Sequence, residues 1–200
     1  MKGETHPDPR QVFWEYDYRS ETPPAYRFCP MCATGLAKRD LDGRMMCPSC
    51  LFVDYHNPSP GVVVMIKRED RVLLGLRGKT SNQQGKWCFP GGFVEHGEDF
   101  LSAAIREVKE ETNLDVEILS IISVISNFFA PALHTLVANL FGRVVGGVAR
   151  AGDDIVGLDW FRLAGPLPEL AFEAEAHIIE RYCAERIEGA PVDPRFSVAR

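Results

Sequence analysis

Residues 91–114 read GGFVEHGEDFLSAAIREVKEETNL, and they decide the fold. A glycine-bracketed loop runs directly into a segment with helical periodicity. Apolar residues recur at the spacing of one helix face, namely at Leu101, Ala104, Ile105 and Val108. The pattern predicts an amphipathic helix whose apolar face packs on the core of the protein.

The neighbouring arc of this helix carries Glu107, Glu110 and Glu111. Like charges at these spacings destabilise an isolated helix, so the cluster indicates a bound cation. Mg²⁺ or Mn²⁺ fits best, because these hard ions take carboxylate oxygens and keep positions for water and substrate phosphates. The alternative is a solvated acidic face. The glycine loop, Arg106 and the carboxylates occur as one unit, which favours the metal.

The segment resembles the Nudix box, G-x5-E-x7-R-E-U-x-E-E-x-G-U, in which U is apolar. The matching residues are Gly92, Glu98, Arg106, Glu107, Val108, Glu110, Glu111 and Leu114. The late glycine is replaced by Asn113, the next most tolerant residue for the left-handed position past a helix end. The resemblance implies an α/β fold, the α/β/α sandwich with a mixed sheet that is known for Nudix proteins.

The resemblance also implies roles for individual residues. Glu107 and Glu111, one helical turn apart, are the expected principal ligands, with Glu110 as a further or water-mediated ligand and a backbone carbonyl near Gly92 as another. In related enzymes the general base is a glutamate of the box or an acidic residue from a distant loop, and Asp154 stands where such an acid occurs. For Asp154 the alternative is a residue in the turn before a strand.

Several other residues have proposed supporting roles. Gly92, Glu98 and Arg106 are expected to fix the loop on the helix. Arg77 is a candidate contact for a substrate phosphate, and Glu95 is a candidate contact for metal or water. Phe128 and Phe129 could stack on an adenine or flavin ring. For Glu95 the alternative is loop fixing, and for the two phenylalanines it is packing in the core.

Two C-x2-C pairs precede this region, Cys29-Cys32 and Cys47-Cys50, with fourteen residues between them. Paired thiolates at this spacing can form the two knuckles of a tetrahedral Zn²⁺ site. Two disulfides and a redox dithiol pair are the alternatives, and a reducing cytosol disfavours the first. The module has few apolar residues, so structural zinc should supply much of its folding free energy. Asp42-Gly43 is expected to form a hairpin turn.

The pairs, followed by a Tyr-x-Asn-Pro stretch at Tyr55 to Pro58, resemble the zinc-ribbon Nudix hydrolases. The expected organisation is an N-terminal arm (1–24), a zinc ribbon (25–57) closed by a strand from Leu51, a Nudix domain (58–190) and a tail (191–200). Strands are expected at 61–66, 71–77, 116–126, 133–145 and 154–161, with Phe128 and Phe129 in a loop. A closing helix is expected at 171–186, with Phe172, Ala176, Ile179 and Cys183 on its apolar side.

The net charge is −6, which argues against a general nucleic-acid partner but not against a small phosphorylated nucleotide. No apolar run approaches a membrane span and the N-terminus lacks an apolar signal region, so a cytoplasmic location without a membrane partner is expected. Zinc-ribbon relatives often pair through such modules, which leaves a homodimer open.

The expected activity is metal-dependent hydrolysis of a pyrophosphate bond in ADP-ribose, FAD or an NADH-like dinucleotide. The Ser-Gln-Pro-Trp-Pro-Phe-Pro array of NADH pyrophosphatases is replaced here by Ser126-Asn127-Phe128-Phe129-Ala130-Pro131, which disfavours strict NADH specificity. The alternative is a non-catalytic nucleotide sensor with a zinc-ribbon interaction surface. Retention of every carboxylate in the box argues against it.

Overall fold

The computed structural model describes residues 11–17, 26–36, 38–39 and 43–198. The chain forms two compact units. The larger unit holds the described residues of Met1–Phe13, together with Pro60–Asn127 and Thr135–Arg200. The smaller unit holds those of Trp14–Ser59 and adds Phe128–His134 from further along the chain. Much of the expected N-terminal arm lies outside the described residues, although Val12–Trp14 form a strand.

The described residues contain eleven strands, two α-helices and a short 3-10 helix. In chain order the elements are β1 (Val12–Trp14), β2 (Lys38–Arg39), β3 (Met45–Met46), β4 (Ser59–Arg68), β5 (Arg71–Arg77), β6 (Trp87–Cys88), β7 (Gly91–Phe93), α1 (Phe100–Thr112), β8 (Leu114–Ala130), β9 (Leu133–Gly147), β10 (Ile155–Arg162), α2 (Glu173–Glu185), β11 (Ala190–Pro191) and the 3-10 helix (Pro194–Phe196). The main sheet runs β1-β8-β9-β4-β5-β10, and β11, β6 and β7 pair with β8, β5 and β4.

The core of the larger unit lies on both faces of this sheet. Strand β4 places Val62, Val64 and Ile66 in the cluster that also contains the buried apolar residues of α1. Its Met65 belongs to a second cluster with residues of α2. Successive side chains of a strand point to opposite faces, so β4 serves both helices. The predicted α/β/α arrangement is therefore confirmed.

Two local predictions were wrong, and a third was correct only in part. Phe128 and Phe129 lie at the end of β8, because two long strands continue their pairing until the turn at residues 131–132. The segment after Cys50 makes one isolated bridge, between Met46 and Val53, rather than a closing strand. On α2, the predicted Ile179 is buried, and Cys183 and Phe172 pack against core clusters, but the buried residues also include Ala174, Glu175 and Ile178.

The smaller unit contains a two-stranded hairpin in which β2 pairs antiparallel with β3. Of the predicted Asp42-Gly43 turn, Asp42 lies outside the described residues, and Gly43 has a φ of 81°. Cys29, Leu36 and Cys47 form its buried cluster, against which Met45 and Phe52 pack. Across the described part of the chain, no helix combines the length and the hydropathy that crossing a bilayer requires.

Candidate active site

Helix α1 begins and ends where its sequence provides caps. The Asp99 carboxylate accepts hydrogen bonds from the amides of Leu101 and Ser102, each at 3.0 Å. At the other end, Asn113 adopts the left-handed conformation with a φ of 58°, and its amide donates to the Lys109 carbonyl. Asn113 thus takes the position that the missing glycine would occupy. The caps set the length of the helix and therefore the direction of its glutamates.

The glycines of the preceding loop are required by close approach of the backbone. Gly91 has a φ of 153°, and a Cβ built on it would lie 2.2 Å from the Val62 carbonyl oxygen. A Cβ on Gly92 would lie 2.6 Å from the carboxyl carbon of Glu107. A side chain at Gly91 would therefore overlap the backbone of β4, and one at Gly92 would displace the Glu107 carboxylate from its position against the loop.

Glu111 is the most enclosed of the box glutamates, with 3% of its surface exposed. Its Oε2 accepts a hydrogen bond of 2.8 Å from the Gly91 amide. The pKa of Glu111 is raised to about 9, chiefly by burial. The Gly91 amide lowers this pKa, and the negative charges of Asp154 and Glu107 raise it. Burial also raises the pKa of Glu107. Buried carboxylates of this kind favour either a proton or a bound cation.

Arg106 is the cation that pairs with glutamates of the box. Its Nε and Nη2 donate to the two oxygens of Glu98, at 3.0 and 2.5 Å. Its Nη1 donates to Glu107 Oε1 at 2.8 Å and to Glu110 Oε2 at 3.0 Å. The hydrogen bond from Arg106 lowers the pKa of Glu98. Arg106 and Glu98 thus lie together as expected, and the guanidinium also reaches two of the expected metal ligands.

Asp154 lies near Glu111, and its negative charge is one of the causes that raise the pKa of Glu111. The loop before β10 is attached to the end of α1, since the Gly152 amide donates to the Glu111 carbonyl at 3.0 Å. The Ser81 hydroxyl donates to Asp154 Oδ2 at 2.7 Å, and Arg77 Nη2 lies 3.8 Å from the same oxygen. The structure therefore brings Arg77 and Asp154 to the glutamate cluster.

The remaining candidates fall into two groups. Glu95 is exposed, and its amide donates to Glu98 Oε1 at 2.9 Å, so its backbone belongs to the loop-fixing network. Phe128 and Phe129 belong to the smaller unit, where the Phe128 ring makes an edge contact with His134 at 4.7 Å between centroids. The structure does not test their suggested contact with substrate.

Three residues near the site were missed from the sequence. Asp153 adds negative charge that raises the pKa of Glu107, and its place in an acidic pair with Asp154 was the available signal. Ser81 lies in a polar loop that carries no distinguishing pattern. Glu175 is a carboxylate on the buried face of α2, which could have been recognised as an exception to the apolar periodicity.

The four predicted zinc ligands form the second candidate centre. All four Sγ atoms lie within 4.8 Å of one another, and none is in a disulfide. Individual separations include 3.5 Å for Cys29–Cys50 and for Cys32–Cys47. Tetrahedral Zn²⁺ with Zn–S bonds of about 2.3 Å places its sulfurs about 3.8 Å apart, so the set fits zinc.

The two knuckles of this centre repeat one backbone geometry. The residue after the second cysteine of each pair, Ala33 or Leu51, has a positive φ and donates its amide to the carbonyl of the first cysteine. In each knuckle an amide also points at the sulfur of the first cysteine, from Met31 to Cys29 and from Cys50 to Cys47. Both pairs therefore have the backbone geometry of metal-binding loops. Two disulfides would not require this geometry.

Comparison with known proteins agrees with the geometry of the first centre. A family model described as NUDIX domain matches residues 56–182. A protein named NAD-capped RNA hydrolase NudC from Pseudomonas aeruginosa is 34% identical over 172 residues, which cover 84% of this chain and 60% of that relative. An ADP-ribose pyrophosphatase from Methanocaldococcus jannaschii is 36% identical over 129 residues, covering 64% of this chain and 75% of that relative.

Solved structures give the same result. A crystal structure of a NUDIX hydrolase from Nitrosomonas europaea superposes with a TM-score of 0.70 at 28% identity, covering 84% of this chain and 96% of that one. A MutT NUDIX hydrolase from Burkholderia pseudomallei gives a TM-score of 0.57 at 27% identity, covering 62% of this chain and 97% of that one. The chain spans about 60% of the length of the NudC relatives that it matches.

Proposed function

Since this chain belongs to the NUDIX domain family, we propose that it is a divalent-metal-dependent hydrolase that cleaves the pyrophosphate bond of a nucleoside diphosphate linked to a second group. ADP-ribose, FAD and NADH-like dinucleotides are the substrates to test. Relatives named ADP-ribose pyrophosphatase and NAD-capped RNA hydrolase support cleavage of such a bond. The cytoplasmic location and the homodimer remain predictions.

The observation that carries the proposal is the set of buried carboxylates around the glycine loop. Glu107 and Glu111 are nearly inaccessible, and Asp154 adds a third negative charge beside them. Among the described residues, Arg106 is the one cation paired with Glu107, so this cluster still carries more negative than positive charge. Burying such an excess of carboxylates is costly, and a divalent cation offsets that cost directly. Mg²⁺ or Mn²⁺ bound there would neutralise phosphate charge and lower the pKa of an attacking water. The donor set is all oxygen, which suits both ions.

The residues of the chain divide the remaining work. Glu107 and Glu111 would hold the ion from adjacent turns of α1, with Glu110 at the exposed side. The oxygen of the attacking water forms a bond to one phosphorus, the bond from that phosphorus to the bridging oxygen breaks, and the proton passes to a carboxylate. We assign that carboxylate to Asp154, whose Oδ2 is held by Ser81. Arg77, 3.8 Å from Asp154, is placed to contact a phosphate.

The cysteine centre has a structural role in this proposal. Four thiolates fill a tetrahedral Zn²⁺ shell and leave no position for a substrate. Since the smaller unit has only a small buried cluster, zinc would replace the hydrophobic core that it lacks.

A second candidate substrate is RNA with a dinucleotide cap. The specific observation is that relatives named NAD-capped RNA hydrolase align with 81 to 85% of this chain. The same pyrophosphate chemistry would serve, since the bond cleaved lies in the cap. The net charge of −6 argues against this substrate, and the side chains of Lys38 and Arg39 lie outside the described part of the structure.

The test is a substrate panel with purified, zinc-loaded protein and Mg²⁺ or Mn²⁺. It should contain ADP-ribose, FAD, NADH, a short NAD-capped RNA and nucleoside triphosphates, with products identified by mass. We expect mononucleotides from at least one of the linked diphosphates. Glu111→Gln should reduce the rate by more than about 100-fold, which is the upper end for groups that only support a metal ligand. Glu180→Gln, on the exposed side of α2, is the matched control.

Two outcomes would contradict the proposal. Folded protein that cleaves none of these compounds would do so, and nucleotide binding without turnover would favour the sensor alternative. Preferential cleavage of the capped RNA over free NADH would instead select the second candidate.

A further inference from the structure

Glu175 is a buried carboxylate that none of the roles above uses. It is the third residue of α2, and only 2% of its surface is exposed. The buried residues that flank it on this face are apolar, Ala174, Ile178 and Ile179. A carboxylate in such a place costs free energy unless its hydrogen bonds are made. A specific contact is therefore expected to explain it.

That contact is with the backbone that leads into the glycine loop. The Phe89 amide donates to Glu175 Oε1 at 2.9 Å, although 86 residues separate the two in sequence. Among the described residues, Oε2 has no hydrogen-bond partner. Burial raises the pKa of Glu175 to about 8, while the Phe89 amide and the charge of Arg77 act in the opposite direction. The side chain thus serves as an acceptor for one backbone amide.

The hydrogen bonds around β6 show why a side chain is needed at this point. Trp87 pairs with Leu170 in a parallel bridge. The Trp87 amide donates to the Glu169 carbonyl at 2.9 Å, and the Ala171 amide donates to the Trp87 carbonyl at 2.7 Å. In a parallel ladder the next bond would run from the Phe89 amide to the Ala171 carbonyl.

The chain enters α2 directly after Phe172, and the Phe89 amide donates to the Glu175 side chain rather than to the Ala171 carbonyl. The Glu175 carboxylate accepts the Phe89 amide instead, and so continues the ladder by one bond. A buried amide without a partner would be costly, which accounts for a polar residue on the buried face of the helix.

Two residues of backbone connect Phe89, which Glu175 holds, to the glycine that bonds Glu111. After Phe89, the Pro90 carbonyl accepts from the Val64 amide at 2.8 Å, and the Gly91 amide donates to Glu111 Oε2 at 2.8 Å. Gly92 then lies against the Glu107 carboxylate. The position of the loop therefore depends on bonds from three sides: β4, α1 and, through Glu175, α2.

We propose that Glu175 is a positioning residue that holds the loop from Phe89 to Gly92 against the metal-binding glutamates. The inference rests on the proposed function, because it assigns a purpose to the geometry of that site. Glu175 acts through Phe89 and Gly91 and does not touch the substrate. A role confined to stability would change unfolding without changing the local geometry at Glu111.

The test compares three substitutions in the zinc-loaded protein without substrate. Glu175→Gln keeps an acceptor oxygen, Glu175→Leu keeps the volume but removes the acceptor, and Glu175→Asp draws the carboxylate back by one methylene. Glu180→Leu, on the exposed side of α2, is the control. Two quantities are measured: the dissociation constant for Mn²⁺, by electron paramagnetic resonance, and hydrogen exchange at the Phe89 and Gly91 amides before metal is added.

We expect faster exchange at both amides and about tenfold weaker Mn²⁺ binding in Glu175→Leu and Glu175→Asp, a loss typical of groups that orient metal ligands. Glu175→Gln should stay within about threefold of the wild type. If Glu175→Leu does not fold, Glu175→Asp decides the question. Folded variants with wild-type Mn²⁺ affinity and wild-type exchange at Gly91 would overturn the inference.

The result separates this inference from the proposed function. Loosened Mn²⁺ binding in the variants, together with no hydrolysis by the wild type, would reject only the proposed function. Hydrolysis by the wild type with unchanged variants would reject only the role of Glu175. Wild-type protein that does not bind Mn²⁺ would reject both.

Discussion

The two candidate metal centres are built in opposite ways. The carboxylates of α1 are oriented by a folded core, by helix caps at Asp99 and Asn113, and by the Gly91 amide. The four cysteines come from two short knuckles whose buried cluster holds three residues. One centre is therefore held by a folded core and by hydrogen bonds, whereas the other has little besides its four cysteines to hold it.

The charges differ as well. The carboxylates are more widely spaced than the sulfurs, since the cysteines alone form a described group of ligand atoms within 4.8 Å. Arg106 lies among the carboxylates and bonds Glu98, Glu107 and Glu110. The oxygen centre thus has an internal cation that stabilises it before metal binds. The difference predicts that removing metal will unfold one region and leave the other folded.

The largest expected effect is loss of structure in the smaller unit when zinc is removed. The binding free energy of structural zinc is about 10–16 kcal/mol in zinc-finger peptides. Burial of the few apolar residues in this cluster stabilises the unit by far less. Chelation, or Cys47→Ser, should expose the remaining ligand thiols to a thiol reagent while the larger unit keeps its unfolding transition. Cys183→Ser, at a cysteine outside the cluster, should leave zinc content unchanged. Thiols that stay protected after chelation would show that the unit folds without metal.

A smaller effect is expected when the internal cation of the oxygen centre is removed. Arg106→Met leaves Glu98 and Glu107 without their charged donor, so the free energy of unfolding should fall by about 1–3 kcal/mol. The control is Arg195→Met, which breaks the exposed pair with Asp193 and should cost no more than about 1 kcal/mol. Denaturant titration of the zinc-loaded protein, without Mg²⁺ or Mn²⁺, measures the free energy of unfolding of both variants. Equal losses in the two variants would contradict a special role for Arg106.

The pH dependence of stability should reveal the buried carboxylate on α2. The folded-state pKa of Glu175 is raised to about 8, so the folded protein binds more protons than the unfolded chain between about pH 4.5 and pH 8. Its contribution to stability is therefore complete at low pH and is lost as the pH rises through about 8. Relative to wild type, Glu175→Gln should gain on the order of 1 kcal/mol between pH 7 and pH 9, the range over which the folded protein loses this proton.

The measurement is the free energy of unfolding at both pH values, with Glu180→Gln as the control for removing an exposed carboxylate. A difference between wild type and Glu175→Gln that does not change with pH would show that Glu175 titrates normally in the folded protein.

The smallest effect on stability is expected from substitution of Asn113, the residue that departs from the box pattern. Asn113→Gly relieves the cost of a positive φ but also removes the bond from the Asn113 amide group to the Val148 carbonyl, at 2.9 Å. The two changes should nearly cancel, leaving unfolding free energy within about 0.5 kcal/mol and turnover unchanged. Thermal unfolding and steady-state rates check this. A large loss of activity would mean that the asparagine has a role beyond capping.

The sequence was sufficient for features that depend on local spacing. The glutamates lie on neighbouring turns of one helix, and each cysteine pair forms its own knuckle. Both sets of residues can therefore be recognised without knowing any distant contact. The fold followed from the resemblance of one segment, and the matches to the family and to solved structures confirm it.

Features that depend on distant contacts could not be read in the same way. The bond between Phe89 and Glu175 spans 86 residues, and that between Ser81 and Asp154 spans 73. The sequence predicts a loop at Phe128 and Phe129, whereas the pairing of β8 with β9 carries the strand to Ala130. Pairing partners, rather than the residues themselves, decide such positions.

The most direct test of the oxygen centre is the rate of AMP formation from ADP-ribose as Mn²⁺ is titrated into zinc-loaded wild type and Glu111→Gln that hold no other divalent ion, with both proteins shown to be folded. We expect saturable dependence on Mn²⁺ in the wild type and a loss of more than about 100-fold in the variant. Equal rates in the two proteins, or wild-type turnover that persists in excess chelator, would contradict the assignment of hydrolysis to the glutamates of α1.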